Sequence, residues 1–306
     1  MSNLTRRNFI GAAGLAAASI SLRAGETPDL DAFQKELDAI TPKDYTAFQL
    51  PGMELPDADR LAAYAALPGL KRYDEAFDKI FAELQSATVT DKPAIWYVYN
   101  MGVIVKTPQA LFTIDVNHRQ ATRLEPILDF ALITHNHHDH YSERFLDAVD
   151  RAGKTVISNF DDNYGAYFAK RMPGGFTRAA KTFNLKDVTV KTSLSDHNRY
   201  LIDFTTAFEI TIGDYVIYHS GDSQNIEKLN PSRAPDLWIV HPRCGLKIAD
   251  GIQKFHPKKT VIAHLFELGH AANRWRWRVS DGLEQIKTAE EAGGAAVMPL
   301  WGDRLA

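Results

Sequence analysis

The chain has 306 residues, a hydrophobic content of 45% and a formal net charge of −3, which is ordinary for a globular protein of one large domain or two small ones. The first 24 residues hold three arginines and no acidic residue, so their removal would lower the net charge to −6. An acidic chain is a poor candidate for binding nucleic acid through phosphate contacts. The single cysteine, Cys244, excludes an intramolecular disulfide and a thiolate-rich metal site.

The first 24 residues are typical of an export signal. Arg6 and Arg7 precede an apolar run of 14 residues (9–22), and Ala24 offers a small residue for cleavage. The arginine pair resembles a twin-arginine signal, and the run is shorter than the roughly 20 residues that span a bilayer. We therefore expect recognition by the twin-arginine export machinery, a periplasmic or secreted mature protein, and no stable membrane insertion after cleavage. The alternatives are a chance arginine pair on a general secretory signal and an uncleaved anchor.

The next segment, residues 25–92, is predicted to be a helical N-terminal extension. Apolar residues recur at helical spacing over 31–40 and 73–84, and residues 62–67 are rich in alanine. Four prolines are predicted to mark helix boundaries: Pro42, Pro51, Pro56 and Pro68. The extension either packs on the main domain or covers a substrate pocket.

The remainder, residues 93–306, is predicted to form one domain of short strands mixed with helices. Helices are expected at 142–152, 161–169 and 280–292. Strands are expected at 95–99, 102–106, 111–116, 130–134, 155–158, 188–192, 201–208, 215–219, 237–240, 261–262 and 296–299. Strands that come first in hairpins and later alternate with helices indicate sheets covered by helices.

The strongest chemical signal is a run of four histidines and one aspartate. His135, His137, His138, Asp139 and His140 directly follow an apolar strand. Imidazole nitrogen and carboxylate oxygen suit zinc, and also manganese or iron. So many titratable groups behind one strand are best explained by cations that they hold, although a surface histidine cluster without a metal is the alternative.

Four further segments place a metal-competent residue at the end of an apolar strand, namely Asp115, His197, Asp222 and His264. Their order resembles the metallo-β-lactamase superfamily, whose His-x-His-x-Asp-His hallmark stands here as His135, His137, Asp139 and His140. The resemblance covers about residue 93 to the C-terminus. It implies an α+β fold of the four-layer αβ/βα sandwich type, with the site at one edge between two sheets.

The resemblance also implies a dinuclear centre. His135, His137 and His197 would hold the first divalent metal ion, and Asp139, His140 and His264 would hold the second. Asp222 would bridge the two ions, and Asp115 would accept a hydrogen bond from a ligand N–H. Two such ions can share a hydroxide, because metal binding lowers the pKa of water from 15.7 to about 7.

Two more histidines are alternatives to His264 as the last ligand. His241 also follows a strand, and His270 lies six residues beyond His264. With His264 as ligand, His241 becomes either a residue lining the cavity, able to act as an acid or contact the substrate, or a polar loop residue. Arg243 is either a partner for an anionic substrate or a solvated charge. Cys244 is expected to be an inert small residue, or, from its position after Arg243, a residue near the pocket.

The arginines and tryptophans near residues 274–278 are expected to pack on the domain rather than to stack on nucleic-acid bases.

The predicted function is that of an exported, dinuclear metal-dependent hydrolase acting on a small-molecule ester, lactone or phosphodiester. A metal-bridging hydroxide would be the nucleophile, Asp139 would orient it or take its proton, and His241 could serve the leaving group. An aspartate at position 222 argues against antibiotic hydrolysis, since β-lactamases carry cysteine or serine there. The pattern looks most like the lactonase and phosphodiesterase branch. The alternatives are an iron-dependent oxidoreductase or sulfur dioxygenase on the same fold, and a non-catalytic metal-binding protein.

Overall fold

The computed structural model describes residues 29–49, 66–158, 180–270 and 276–306. The predicted export signal, residues 62–65 of the alanine-rich helix, the helix expected at 161–169 and Trp275 lie outside the described residues. The signal and the helix at 161–169 therefore stay predictions. No helix in the described part of the chain has the length and apolar character needed to cross a membrane.

Six α-helices occur among the described residues. They are α1 (Leu30–Asp38), α2 (Pro42–Gln49), α3 (Pro68–Ser86), α4 (Glu143–Arg151), α5 (Ile248–Phe255) and α6 (Val279–Glu291). Pro42 and Pro68 each occupy the first position of a helix, as predicted, because the missing N–H of proline is not needed there. The alanine-rich prediction was wrong for Ala66 and Leu67, which precede α3 and are not helical.

The first sheet has five strands in the order β1-β2-β3-β4-β5. Their bounds are Ala94–Tyr99, Gly102–Lys106, Leu111–Ile114, Phe130–Ile133 and Thr155–Ser158. β1, β2 and β3 pair antiparallel, whereas β3, β4 and β5 run parallel. All four residues of β4 are buried, and this strand leads directly into the histidine run.

The second sheet has seven strands in the order β12-β11-β10-β9-β8-β7-β6. In chain order from β6 they are Thr182–Leu185, Val188–Ser195, Thr205–Ile212, Tyr215–His219, Leu237–Val240, Thr260–Ile262 and Ala296–Val297. The strand predicted at 201–208 was wrong over its first four residues, which form a loop. There Asn198 Oδ1 accepts from the N–H groups of Tyr200 and Leu201, an Asx-type turn that competes with strand pairing.

The two sheets and their covering helices share one apolar core, which confirms the predicted sandwich. α4 packs against β4 and β5 of the first sheet, and α6 packs against β11 and β12 of the second. A bridge between Trp96 and Arg304 joins the start of the first sheet to the C-terminus.

The helices before β1 pack tightly on this body. Phe33 of α1 makes edge-to-face contacts with Phe266 and Trp301, and the Trp96 indole donates to Glu83 of α3 (2.7 Å). These contacts give α1 and α3 a packing role. The division of the chain at residue 92 stays a prediction.

Candidate metal centre

The predicted donor residues lie where strands of both sheets end. In the first sheet, β4 ends at Ile133 and the chain then turns tightly, with the N–H of His140 donating to the carbonyl of His137 (3.0 Å). Ser142 caps α4 by accepting from the N–H of Phe145. The whole histidine run is thus held between a buried strand and a capped helix.

The second sheet contributes residues just beyond four of its strands. His197 follows β7, Asp222 follows β9, His241 follows β10 and His264 follows β11. β9, β10 and β11 are parallel, so their carboxyl ends meet at the same edge of the sheet. Gly221 is required before Asp222, because its φ is +53° and a Cβ there would lie 2.7 Å from Thr205 Cγ2.

The residues predicted to hold the first ion lie together. His135, His137 and His197 each offer a ring nitrogen within 4.8 Å of the other two. His197 Nε2 lies 3.1 Å from His137 Nδ1. Phe204 stacks on the His197 ring, with a centroid distance of 6.0 Å, and covers one side of this group.

The residues predicted to hold the second ion also lie together. His264 Nε2 is 3.0 Å from Asp139 Oδ2, and His140 Nε2 is 3.7 Å from the same oxygen. Asn100, in the turn between β1 and β2, donates to Asp139 Oδ2 (3.0 Å) and accepts from the backbone N–H of His264 (2.9 Å). Asn100 was missed by sequence reasoning, because an asparagine in a hairpin turn carries no signal of a distant partner.

Asp222 lies between the two groups. Its Oδ2 is 3.3 Å from His140 Nε2, 3.5 Å from His264 Nε2 and 3.9 Å from His135 Nε2. Its Oδ1 is 3.3 Å from His241 Nδ1. The carboxylate therefore faces donor residues on both sides, which is the position expected of a bridging ligand.

Asp115 accepts hydrogen bonds from the histidine run and from Thr134, which precedes it. It is fully buried and accepts from the N–H and hydroxyl of Thr134 (both 2.7 Å) and from His140 Nδ1 (2.9 Å). Because His140 donates through Nδ1, its Nε2 is free to bind a cation. This is the contact predicted for Asp115, and Thr134 is an additional partner that the sequence did not indicate.

Several residues of the centre adopt a left-handed backbone conformation. Asn100 (φ 55°), Asp115 (49°) and His264 (57°) all have positive φ. Such conformations are rare for residues other than glycine and concentrate at functional sites, where the surrounding structure enforces them. Here they aim side chains inward from sharp turns at strand ends.

The electrostatics of the cluster favour bound cations. Burial opposes the charged forms of Asp139 and Asp222, but His140 and His264 outweigh it and keep the pKa of both carboxyls well below the ordinary value. Burial, together with His197, lowers the pKa of His137 to about 4. The ionised carboxylates and the neutral His137 are the protonation states that metal binding requires, whereas Asp222 and Asp139 outweigh burial and raise the pKa of His140 and His264, so bound cations would displace protons from these two rings.

The hydrogen bonding of the donor atoms also fits a metal centre. His135 Nε2, His140 Nε2 and Asp222 Oδ1 are buried and have no hydrogen-bond partner among the described residues. Buried polar atoms are almost always partnered, since leaving one unpaired costs about 1–3 kcal/mol. Imidazole nitrogens and a carboxylate oxygen converging without partners match the ligand chemistry of zinc, manganese or iron.

The two alternative histidines are placed differently. The His241 ring stacks on His264 at 3.7 Å between centroids, within the cluster. His270 is half exposed, and its Nδ1 lies 2.6 Å from Glu267 Oε2, so it belongs to none of the potential metal-binding groups found in the described residues. His138 is exposed, as expected of the one histidine in the run predicted not to be a ligand.

Arg243 and Cys244 lie in the short segment that follows His241. Arg243 lies over the Trp277 ring, 5.3 Å from its centroid, and Trp277 is buried in the core, as expected. Trp301 is buried there too. Cys244 lies beside the cluster, with Sγ 3.6 Å from His197 Nδ1. Burial and the nearby Asp222 raise the pKa of this thiol well above its ordinary value.

The two sheets, their covering helices and the placement of the donor run define a metallo-β-lactamase fold. Among solved structures, the chain is similar to a possible metal-dependent hydrolase from Veillonella parvula DSM 2008 (TM-score 0.54, 13% identity, 71% of this chain and 99% of that chain). It is also similar to the metallo-β-lactamase fold protein YhfI from Bacillus subtilis (0.52, 15%, 70% and 98%). A third is Igni18, a metallo hydrolase from Ignicoccus hospitalis KIN4/I (0.52, 19%, 70% and 97%).

At these identities the similarity establishes the fold. No protein-family model matches the sequence. No curated protein sequence matches it either.

Proposed function

We propose that the protein is a dinuclear metal-dependent hydrolase of small-molecule esters, lactones or phosphodiesters. One observation carries the proposal, namely the convergence of seven donor residues from both sheets on one small volume. They are His135, His137, Asp139, His140, His197, Asp222 and His264. The solved structures with the same fold support it, because two of the three are described as metal-dependent or metallo hydrolases.

His135, His137 and His197 would hold one ion, Asp139, His140 and His264 the other, and Asp222 both. When bound, two divalent ions supply Lewis acidity for a carbonyl or phosphoryl oxygen and lower the pKa of water to about 7. No serine or cysteine nucleophile is then required.

Two residues are assigned to proton handling. The Asp139 carboxylate is fixed by Asn100 and is partly open to solvent, so it can orient the attacking water and take its proton. His241 would serve the leaving group. Burial and His264 lower the pKa of His241 to about 4, so it is neutral at pH 7 and acts as a hydrogen-bond donor through its ring N–H.

Metal removal tests the proposal. Chelated protein should lose hydrolysis of the best substrate from a panel of esters, lactones, phosphodiesters and β-lactams, and should regain it with zinc or manganese. Asp139→Ala should lower kcat at least roughly a hundredfold, in the range of lost acid–base catalysis. Metal content by elemental analysis should be two ions per chain.

His138→Ala is the matched control, because His138 stands beside Asp139 in the same run but is exposed. This variant should keep both ions and its activity. Full activity of the chelated protein, or equal losses in Asp139→Ala and His138→Ala, would contradict the proposal.

A further inference from the structure

Cys244 lies at the edge of the donor cluster. It is the only cysteine of the chain and ends the short 3₁₀ helix Pro242–Cys244, which begins directly after His241. Its Sγ, a ring nitrogen of His197 and a carboxylate oxygen of Asp222 all lie within 4.8 Å of one another. The side chain is partly buried rather than enclosed.

The distance from Cys244 to His197 is suited to shared coordination. A tetrahedral zinc ion with a sulfur bond of about 2.3 Å and a nitrogen bond of about 2.0–2.1 Å holds the two ligand atoms roughly 3.6 Å apart. Cys244 Sγ and His197 Nδ1 are 3.6 Å apart in the structure. The thiol can thus share an ion with His197 through Nδ1, in place of the Nε2 that faces His137 (3.1 Å).

A second observation, independent of the cysteine, indicates a ligand at this place. Asp222 is 3% exposed, and its Oδ1 has no hydrogen-bond partner among the described residues. The other oxygen of this carboxylate faces His140 and His264. Oδ1 lies 3.3 Å from His241 Nδ1, and an oxygen of the same carboxylate lies within 4.8 Å of Cys244 Sγ and of a His197 ring nitrogen. A buried carboxylate with an unpartnered oxygen is therefore within reach of an ion at Cys244.

We propose that Cys244 is a thiolate ligand, which with His197 and Asp222 binds a soft divalent cation, zinc in preference to manganese. The inference rests on the proposed metal centre and adds to it a sulfur donor. Binding breaks the S–H bond, forms a sulfur–metal bond and releases the proton to water, so no oxidant or reductant is needed. Thiolate ligation favours zinc over the oxygen-preferring manganese.

Cobalt substitution tests the sulfur–metal bond directly. Protein loaded with Co²⁺ should show a sulfur-to-cobalt charge-transfer band in the near ultraviolet, and Cys244→Ser should lack it. Because the chain has a single thiol, a chromogenic disulfide reagent reports Cys244 alone. Its reaction should slow at least roughly tenfold when zinc is added to chelated protein, since a metal-bound thiolate is no longer a free nucleophile.

The His138→Ala control should keep the band and the protection by zinc. A cobalt protein that binds its ions but shows no charge-transfer band overturns the inference, even where zinc slows the thiol reaction, because a nearby ion can shield a thiol without binding it. The wild-type spectrum decides this without any variant that must fold.

Failure of the inference and failure of the proposed function are distinguishable. A protein with two ions, metal-dependent hydrolysis and no sulfur–cobalt band retains the proposed function and loses the thiolate. A protein that binds no cobalt, or that hydrolyses fully after chelation, loses both.

Discussion

At the scale of single residues, the hydrogen bond from His140 Nδ1 to Asp115 fixes the orientation of the His140 ring. Asp115→Asn should weaken binding of one metal ion by roughly 10–100-fold, the range reported when a partner of a ligand histidine is removed. The amide replaces one acceptor oxygen by a donor, which cannot accept from Thr134 and His140 as the carboxylate does. Competition with a fluorescent zinc chelator measures the affinity.

Asp236→Asn is the comparison for Asp115→Asn. Asp236 also accepts a backbone N–H, that of Val216, and pairs with Lys258, but it lies outside the donor groups. This variant should bind metal as the wild type does. If the two asparagine variants lose affinity equally, the effect is one of general stability and not of His140.

The sequence could predict the donors that follow strands, because an apolar strand followed by histidine or aspartate is a local pattern. This pattern predicted that His197, Asp222 and His264 lie at the same edge as the histidine run, and the structure places them together there. Asn100 and Cys244 could not be assigned in this way. Their partners are distant in sequence, and only the packing of the two sheets brings them near.

At the scale of secondary structure, Arg276 fastens α1 to the loop that follows His264. The buried guanidinium donates to the carbonyls of Leu37 and Ile40 at the end of α1, and to those of Glu267 and Leu268 in the loop. Arg276→Met should lower the free energy of unfolding by about 3–5 kcal/mol, since it leaves buried carbonyls unpaired. Urea denaturation at pH 7.5 measures the loss.

The neighbouring Arg278→Met is the control, because Arg278 is exposed and pairs with Asp38 at 3.3 Å near the surface. Exposed pairs contribute about 0–1 kcal/mol, so this variant should unfold close to the wild type. Equal stability of the two methionine variants would show that the carbonyl contacts of Arg276 contribute nothing.

Most elements were predictable from periodicity, and the exceptions have physical causes. The edge strand β6 has only four residues, which are alternately exposed and partly buried, and this is the shortest alternation that indicates a strand. Helix α5 was missed because it has only eight residues and one of them is Gly251, a poor helix former. The glycine is needed for packing, since a Cβ at this position would lie 2.1 Å from the Trp238 ring.

At the scale of the whole molecule, stability should depend on pH through His118. Its ring is stacked between Tyr73 and Phe77 (both 4.2 Å between centroids), and its Nδ1 accepts from the N–H of Gln120 (3.1 Å). Burial lowers the pKa of His118 well below 6.5. Below about pH 6.5 the unfolded chain is therefore protonated at His118 while the folded protein is not. The free energy of unfolding falls as the pH drops below this value.

His118→Phe should remove the His118 contribution to this dependence, because phenylalanine keeps the stacking but cannot be protonated. The buried His135 and His219, whose pKa is also lowered by burial, keep their contributions. The wild type should lose up to about 1.4 kcal/mol per pH unit more than the variant below pH 6.5. Urea unfolding between pH 5 and 8 gives both slopes. His256→Asn, which replaces an exposed histidine, should keep the wild-type slope, and parallel slopes for wild type and His118→Phe would refute the assignment.

The donors of the candidate centre are spread over 130 positions of the chain, from His135 in the first sheet to His264 in the second. A nascent chain leaving the ribosome contains only part of this donor set until His264 has emerged. Under the proposed function, the metal ions therefore bind late in synthesis. They then link the first sheet to the second sheet, which is synthesised after it.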